Sequence, residues 1–405
     1  MYNFDQVIDR FHTNSLNTDG FRGYIFKAGP EKVFPYKDEE FIRMWVADME
    51  FAVAPEIQAA LHARIDRQIF GYTGIYDEEY YKIFSKWCQD RYDWTFAKEE
   101  LCYSPGIIPA LYQITELLCL PEEKTILNTP AYAFFVHTAT YAGVDVLHSP
   151  LIRNEKGEYS LDFENFEAQC AHPQAKLVFW CNPQNPTGRM WTEDELTRIA
   201  EIVRKYNLWI VSDEIHCDLI RCDKKHIPMA KVMPDYPKLI TCMAPTKTFN
   251  LAGLPFSNII IRDPVLRDRF KARDKLNQMV NCMSLTAACA AYEKGGEWHE
   301  ALKRYLDGNF AFLKAFLEEK MPEAVMTISE ATYLAWVDLS KVIPDVEDMA
   351  DFFANEAGVL LEGGNGMFVG NAEGYVRLNL AMPRSVLQEG LKRMSDAVCR
   401  HRQSI

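Results

Sequence analysis

Lys247 is the residue whose surroundings most clearly suggest chemistry. It follows a predicted strand and lies in an otherwise uncharged stretch, Met-Ala-Pro-Thr-Lys-Thr-Phe-Asn-Leu-Ala-Gly-Leu. A lysine among apolar and hydroxyl residues at a strand end is partly removed from water, which lowers the pKa of its amine. A neutral amine is a nucleophile that can form an imine with an aldehyde. A solvated loop lysine is the alternative, and spacing alone does not separate the two.

Asp213 is a second candidate, because it ends the apolar run Leu-Trp-Ile-Val-Ser and is followed by Glu214 and His216. These side chains could be metal ligands, or acids at a strand end that face water. A metal is disfavoured because no second His/Cys cluster has the spacing of a closed metal site. A third interpretation fits better: a buried carboxylate can keep a ring nitrogen protonated, as the pyridinium of pyridoxal 5′-phosphate requires.

Asn185 lies between two Asn-Pro steps in the segment Asn182-Pro-Gln-Asn-Pro-Thr-Gly188. The prolines and the glycine force a rigid turn, and one X-Pro bond could be cis. An ordinary strand-to-helix connection is the alternative, but it would not need an amide held between two such constraints. A side-chain amide at this position could donate to a phenolate oxygen of a ligand.

Three further segments offer groups for a ligand. Gly106 follows a predicted strand at the start of a helix, where free backbone N–H groups bind phosphate. Tyr132 offers an aromatic face that could stack on a ring or pack in the core. Arg377 lies in the apolar run Val-Arg-Leu-Asn-Leu. A buried arginine either receives a substrate carboxylate or forms an internal salt bridge.

The elements that carry these residues alternate between strand and helix from about residue 100 to 290. Apolar runs predict strands at 124–128, 144–148, 176–182, 208–213, 238–243 and 257–262. The clearest helix spans 192–206, where Thr192 and Glu195 form a capping-box pattern. This alternation predicts an α/β fold with a mostly parallel sheet, helices on both faces and ligands at the carboxyl ends of the strands.

The rest of the chain predicts a smaller α+β domain. Helices at about 297–320 and 345–356 flank a strand at 332–338, and another strand is predicted at 375–380. We therefore predict a large domain at 48–290, and a small domain made of 1–47 together with 291–405.

Composition narrows the classes of partner. The 405 residues include 44 Lys plus Arg against 57 Asp plus Glu, and a net charge of -13 disfavours nucleic acid and anionic membranes. Eleven cysteines without a Cys-x-x-Cys pair indicate free thiols in a reducing compartment. With no signal-peptide pattern and no long uncharged apolar run, we expect a cytoplasmic protein.

Seven motifs occur in order along almost the whole chain. They are Met44-Trp-Val-Ala-Asp-Met-Glu-Phe51, Phe70-Gly-Tyr-Thr73, Thr129-Pro-Ala-Tyr132, Asn182-Pro-Gln-Asn-Pro-Thr-Gly188, Ser212-Asp-Glu-Ile-His216, Pro245-Thr-Lys-Thr-Phe-Asn250 and Val376-Arg-Leu-Asn379. Together they resemble the fold-type I pyridoxal-phosphate enzymes, the aspartate aminotransferase superfamily. The resemblance is strongest to the cystathionine β-lyase, or C–S lyase, branch of that superfamily.

The resemblance implies how the cofactor ring would be held. Lys247 would be the Schiff-base lysine, and Asp213 would pair with the pyridinium nitrogen. Asn185 would donate to the 3-oxygen of the ring, with His216 close to the same oxygen. Tyr132 would stack on the ring.

The resemblance also implies the contacts of the phosphate and the substrate. Gly106, Ile107 and Thr246 would surround the phosphate. Tyr72 would reach the phosphate of a neighbouring subunit, because members of the superfamily are homodimers with active sites at the interface. Arg377, together with Asn185, would bind the substrate α-carboxylate.

One departure favours the lyase branch. Many aminotransferases place an arginine on the phosphate at the position where this chain has Pro255, in Thr-Lys-Thr-Phe-Asn-Leu-Ala-Gly-Leu-Pro. Members of the lyase branch also lack that arginine. A second departure concerns specificity, since the stretch 17–43 differs from the usual lyase start, which carries a Lys-Trp dipeptide.

The resulting hypothesis is β-elimination from cysteine-S-conjugates such as cystathionine, giving a thiol, pyruvate and ammonia. Lys247 would remove the Cα proton as a general base. One alternative is a class I/II aminotransferase that uses 2-oxoglutarate or another 2-oxo acid. Another is a regulatory protein that uses the same fold to bind a transcription factor.

Overall fold

A seven-stranded sheet lies at the centre of the computed structural model, which describes residues 2–221, 223–273 and 279–404. Its strands are β1 (Leu101–Ser104), β2 (Lys124–Thr129), β3 (Asp145–Pro150), β4 (Ala175–Cys181), β5 (Trp209–Asp213), β6 (Leu239–Met243) and β7 (Ser257–Ile261). Their order across the sheet is β1-β7-β6-β5-β4-β2-β3. Only β7 runs antiparallel to its neighbours, so the prediction of a mostly parallel sheet is confirmed.

The six predicted strands occur within two residues of their expected bounds. All but β3 are largely buried, and strands buried on both faces are continuously apolar, which makes them readable in the sequence. Every residue of β6 and β7 is buried, for example. The reversed direction of β7 was not predicted. Its connection from β6 contains only the one-turn helix Pro245–Thr248, too little for the usual crossover helix.

Helices cover both faces of this sheet, as predicted. Alternate residues of β4 enter different hydrophobic clusters: Val178 and Trp180 join one, and Leu177 and Phe179 join the other. The α-helices are Leu16–Asp19, Phe21–Phe26, Pro55–Ile65, Glu79–Tyr92, Ile107–Leu118, Phe134–Tyr141, Phe163–Cys170, Glu193–Lys205, Met229–Val232, Pro245–Thr248, Pro264–Arg273, Cys282–Lys294, Gly296–Lys320, Met349–Ala357, Gly364–Met367 and Arg384–Ser404.

Side-chain caps fix two of the predicted helices. Thr192 Oγ1 accepts from the Glu195 backbone N–H at 3.3 Å, and the Glu195 carboxylate accepts from the Thr192 N–H at 2.9 Å, which confirms the capping box. The helix predicted from 345 instead begins at Met349. Asp348 caps it by accepting from the Asp351 N–H at 3.0 Å, and this explains the later start.

A second, antiparallel sheet carries Arg377. It is formed by β8 (Leu334–Asp338), β9 (Glu362–Gly363) and β10 (Tyr375–Asn379) in the order β8-β10-β9. Beside it, the short strands Ile42–Arg43 and Val359–Leu360 pair in parallel and bring the N-terminal region alongside the C-terminal part of the chain.

The predicted domain boundaries at 48 and 290 stay predictions. The helix Gly296–Lys320 contributes to two hydrophobic clusters. Leu302 and Leu306 pack in the cluster of the large sheet, whereas Phe310 and Leu313 pack in the cluster of the small sheet. A single helix therefore joins both cores.

Three further observations concern the cysteines, possible membrane-spanning helices and possible metal ligands. The ten cysteines in those ranges are free, and Cys222 lies outside them. Within the described residues, no helix is both long and apolar enough to span a membrane. Across the same ranges, His, Cys, Asp and Glu side chains form no group of three or more that could hold a metal ion.

Asp218 joins the helices that support the strand end after β6. Its buried carboxylate accepts from Trp87 Nε1 at 2.8 Å, from Thr248 Oγ1 at 2.7 Å and from the Tyr92 hydroxyl. His299 Nε2 also lies 2.6 Å from its backbone carbonyl. Because Thr248 follows Lys247 directly, this network fixes the backbone that carries the lysine.

We predict that Asp218→Ala lowers the free energy of unfolding by about 3 kcal/mol, because it leaves buried donors without an acceptor. Denaturant titration followed by circular dichroism measures the change. Asp235→Ala, at an exposed position, is the control and should stay within about 0.5 kcal/mol of the wild type. Equal stability of the two variants would contradict the role given to this network.

Candidate active site

One cavity of about 620 Å³ opens at the carboxyl ends of the parallel strands. Nine of the ten candidate residues line it: Gly106, Ile107, Tyr132, Asn185, Asp213, His216, Thr246, Lys247 and Arg377. They come from the segments that follow β1, β2, β4, β5 and β6, and from β10. The structure therefore brings together side chains that are far apart in sequence, at the sheet edge where α/β proteins bind ligands.

Lys247 lies in the one-turn helix after β6 with its amine turned toward the cavity wall. Its Nζ donates to the Ala47 carbonyl at 2.6 Å. Burial lowers the pKa of this amine to about 8, although Asp48 opposes the shift by raising it. The neutral form of Lys247 is therefore far more populated near pH 7 than that of an ordinary lysine, and a nucleophilic or basic amine requires this form.

Asp213 ends β5 and is buried. Burial raises the pKa of its carboxyl to about 7, and a hydrogen bond from the Ile215 backbone N–H at 3.1 Å partly offsets this increase. A carboxyl in this state gains strongly from a cation placed beside it, because a cation would restore its ionised form.

His216 is buried in the same wall of the cavity. Burial lowers the pKa of its imidazole to about 3, and the positive charges of Lys247 and Arg377 add to the effect. The ring is thus neutral at physiological pH. Its Nδ1 is buried and has no hydrogen-bond partner among the described residues. Such an atom is expected to meet a polar group of a bound ligand.

Asn185 lies in the predicted rigid turn after β4. Both Asn-Pro bonds of the turn, Asn182–Pro183 and Asn185–Pro186, are cis. Gln184 braces the same turn by accepting from the Thr187 backbone N–H at 2.9 Å and donating to the Pro130 carbonyl at 2.7 Å. The Asn185 side-chain oxygen accepts from Arg377 Nη1 at 3.1 Å, which directs the amide into the cavity.

Arg377 lies on β10 and shows features of both environments that the sequence left open, a carboxylate receptor and an internal salt bridge. It lines the cavity, as a carboxylate receptor would. It also forms a buried ion pair with Glu362, so the guanidinium is not free to receive a carboxylate without a change of partner. Sequence reasoning left these alternatives open and did not identify Glu362.

Tyr132 meets an N-terminal residue that sequence reasoning also missed. Its hydroxyl lies 2.8 Å from the hydroxyl of Tyr24, and both residues line the cavity. Phe134 stacks near the Tyr132 ring at a centroid distance of 5.0 Å and an interplanar angle of 24°. Tyr24 belongs to the atypical stretch 17–43, which therefore reaches the cavity itself.

Gly106 and Ile107 form the start of the twelve-residue helix Ile107–Leu118 at the cavity floor. The first N–H groups of a helix have no partner within the helix, so this end presents donors together with the positive end of the helix dipole. Thr246 and Ser257 add hydroxyl groups to the same cavity lining. Pro255, where many aminotransferases have an arginine, lines it as well.

The segment 44–51 is hydrogen-bonded to the segment that carries Lys247, and this contact explains why the two motifs occur together. Asn250 donates to the carbonyls of Met49 and Phe51 at 3.0 and 3.1 Å, which ties the segment to the strand end that carries Lys247. Tyr333 donates to the Ala47 carbonyl at 2.8 Å, the same oxygen that Lys247 contacts. Backbone acceptors such as Ala47 leave no signal in side-chain types, and sequence reasoning could not find this one.

Tyr72 is the one candidate that the structure does not bring to the cavity. It is not among the residues that line the cavity, and 94% of its surface is exposed. Ile69, Phe70 and Tyr76 are exposed beside it, at 72%, 55% and 88%. An exposed apolar stretch of this kind is typical of a surface that another protein covers.

Comparisons with known proteins agree with this geometry. A profile of the family described as aminotransferase class I and II matches residues 40–394. Cystathionine β-lyase PatB of Bacillus subtilis is 35% identical, covering 98% of this chain and 100% of the relative, and protein MalY of Escherichia coli is 30% identical, covering 98% and 99%. The pyridoxal-phosphate-bound C–S lyase of Staphylococcus hominis superposes with a TM-score of 0.93 at 42% identity, covering 98% of each chain. The chain thus belongs to the aminotransferase class I and II family.

Proposed function

We propose that this chain is a pyridoxal-phosphate-dependent C–S lyase that eliminates a thiol from cysteine-S-conjugates such as cystathionine. The observation that carries the proposal is the cavity itself, in which a half-buried amine with a lowered pKa, a buried carboxyl and a buried arginine lie together. The relatives named cystathionine β-lyase and C–S lyase support the reaction type over the alternatives.

The side chains of the cavity fit pyridoxal phosphate. Asp213 would pair with the ring nitrogen, which supplies the cation that its buried carboxyl lacks. His216 and Asn185 would lie near the 3-oxygen, and the unpartnered Nδ1 of His216 supports the presence of a polar ligand group. Tyr132 would stack on the ring.

The phosphate would be held without an arginine at position 255. The helix start at Gly106 and Ile107 offers backbone N–H groups, and Thr246 offers a hydroxyl. This set of donors is consistent with the lyase branch, in which that arginine is also absent. Lys247 would bind the cofactor aldehyde covalently through its partly neutral amine.

Residues of this chain would have separate roles in the elimination. Pyridoxal phosphate, when bound, withdraws electrons from the substrate Cα and so makes the Cα proton acidic. Arg377 binds the substrate α-carboxylate and orients the Cα–H bond. Lys247, whose amine is free once the substrate amine has taken its place, takes the Cα proton as a general base, because burial lowers the pKa of this amine to about 8. The thiolate leaves from Cβ, and hydrolysis of the remaining three-carbon fragment gives pyruvate and ammonia.

We predict that the purified protein converts L-cystathionine into pyruvate, ammonia and homocysteine in equal amounts. A coupled lactate dehydrogenase assay measures the pyruvate. Lys247→Ala should lower kcat by about a thousandfold or more, because the general base is lost. Glutamate formation from 2-oxoglutarate, without pyruvate, would instead identify the protein as an aminotransferase. A regulatory role stays a separate prediction.

The protein is also proposed to act as a homodimer in which Tyr72 reaches the phosphate site of the partner subunit. Its exposure in the single chain and the apolar residues beside it support this arrangement. In such a dimer each active site would combine Lys247 of one subunit with Tyr72 of the other.

Mixing two inactive variants tests the exchange of Tyr72. We predict that Tyr72→Ala and Lys247→Ala, each nearly inactive alone, together recover about a quarter of wild-type activity after subunit exchange, because half of the dimers then have one intact site. Tyr141→Ala, at an exposed tyrosine outside this stretch, is the control and should keep its activity alone. No recovery despite verified exchange would mean that Tyr72 does not act across the interface.

A further inference from the structure

Glu362 and Arg377 are direct neighbours across two antiparallel strands. They are paired residues in the register of β9 and β10. Their side chains form an ion pair through Arg377 Nη2 and are 1% and 3% exposed, respectively. Both line the cavity, so the pair lies at the surface that a substrate would meet.

Glu362 contacts Arg377 at Nη2, and this position affects how another carboxylate could bind the guanidinium. A carboxylate receives two parallel hydrogen bonds from a guanidinium either through Nε and Nη2 or through Nη1 and Nη2. Nη2 belongs to both of these faces. Nη1 donates to Asn185, and Nε is buried without a hydrogen-bond partner among the described residues. Any other carboxylate that binds Arg377 through two points must therefore compete with Glu362 for Nη2.

Charge leads to the same conclusion. The ion pair is neutral overall, so an incoming α-carboxylate gains little net attraction while Glu362 remains ionised on Arg377. Two carboxylates sharing one buried arginine would also repel each other. Burial raises the pKa of Glu362, which favours its neutral form once it leaves the arginine.

The arginine itself cannot turn away to a second partner easily. Its guanidinium carbon lies 5.0 Å from the ring centre of Phe368 and 5.9 Å from that of Tyr132. Both rings lie against the guanidinium and restrict its movement away from the cavity. Glu362 is therefore the member of the pair that must move when a carboxylate binds.

We propose that Glu362 is a specificity-determining residue, which occupies Arg377 until the substrate α-carboxylate displaces it. The inference rests on the proposed function, since it takes Arg377 as the carboxylate site. It follows that Glu362 weakens binding of every carboxylate ligand and has no such effect on a ligand that lacks a carboxylate.

A pair of ligands separates this effect from a structural one. L-alanine and L-alaninamide differ at the carboxylate alone, and neither has a leaving group at Cβ. Their dissociation constants can be measured by titrating the cofactor absorbance of the holoenzyme. This readout does not depend on elimination or on any turnover.

Glu362→Gln should bind L-alanine at least about tenfold more tightly than the wild type, because a neutral amide competes more weakly for Arg377. Its affinity for L-alaninamide should be unchanged. Glu373→Gln, at an exposed position just before β10, is the matched control and should behave as the wild type with both ligands. With a sulfur substrate, Glu362→Gln should lower KM more than it changes kcat.

Equal or weaker binding of L-alanine by Glu362→Gln would overturn the proposal, as would a parallel gain for L-alaninamide. If Glu362→Gln does not fold, Glu362→Asp takes its place. Its shorter side chain withdraws the carboxylate from Nη2, and it should show a smaller gain in the same direction; no gain would overturn the proposal. Failure of the wild type to bind the cofactor would count against the proposed function instead.

Discussion

The burial of the Lys247 amine against the Ala47 carbonyl is the contact on which the rest of the cavity depends. The two atoms are 2.6 Å apart, and burial holds the pKa of the amine at about 8. Asn250 and Tyr333 keep the Ala47 segment in place through bonds to its backbone. Asp218 holds the residue that follows the lysine. Contacts from distant parts of the chain thus shield the Lys247 amine from water.

The other charges of the cavity have partners that a ligand would change. Burial raises the pKa of the Asp213 carboxyl to about 7, so this group favours a ligand with a cationic nitrogen. Arg377 is paired with Glu362, so a ligand carboxylate must replace an existing partner. A ligand would therefore complete the charge arrangement of the cavity, and the energy of its binding would include the cost of exchanging Glu362.

Much of the fold could be predicted because buried parallel strands leave continuous apolar runs in the sequence. Several cavity residues could be predicted because they end or directly follow such a run. Asp213 and Lys247 are of this kind. Glu362, Tyr24 and Ala47 could not be predicted. Glu362 reaches the cavity through the register of two short strands, Tyr24 through the packing of an N-terminal helix, and Ala47 through a backbone oxygen. Each of these contacts joins residues that are separated in sequence, so no local sequence pattern indicates it.

We propose that Lys247 is the lysine that binds pyridoxal phosphate, and one measurement tests this directly. Reduction of the holoenzyme with sodium borohydride fixes the cofactor covalently, and peptide mass spectrometry then locates the modified lysine. We predict that the added mass lies on the peptide that contains Lys247 and at that residue. Cofactor absorbance with the added mass on a different lysine, or with no added mass, would contradict it.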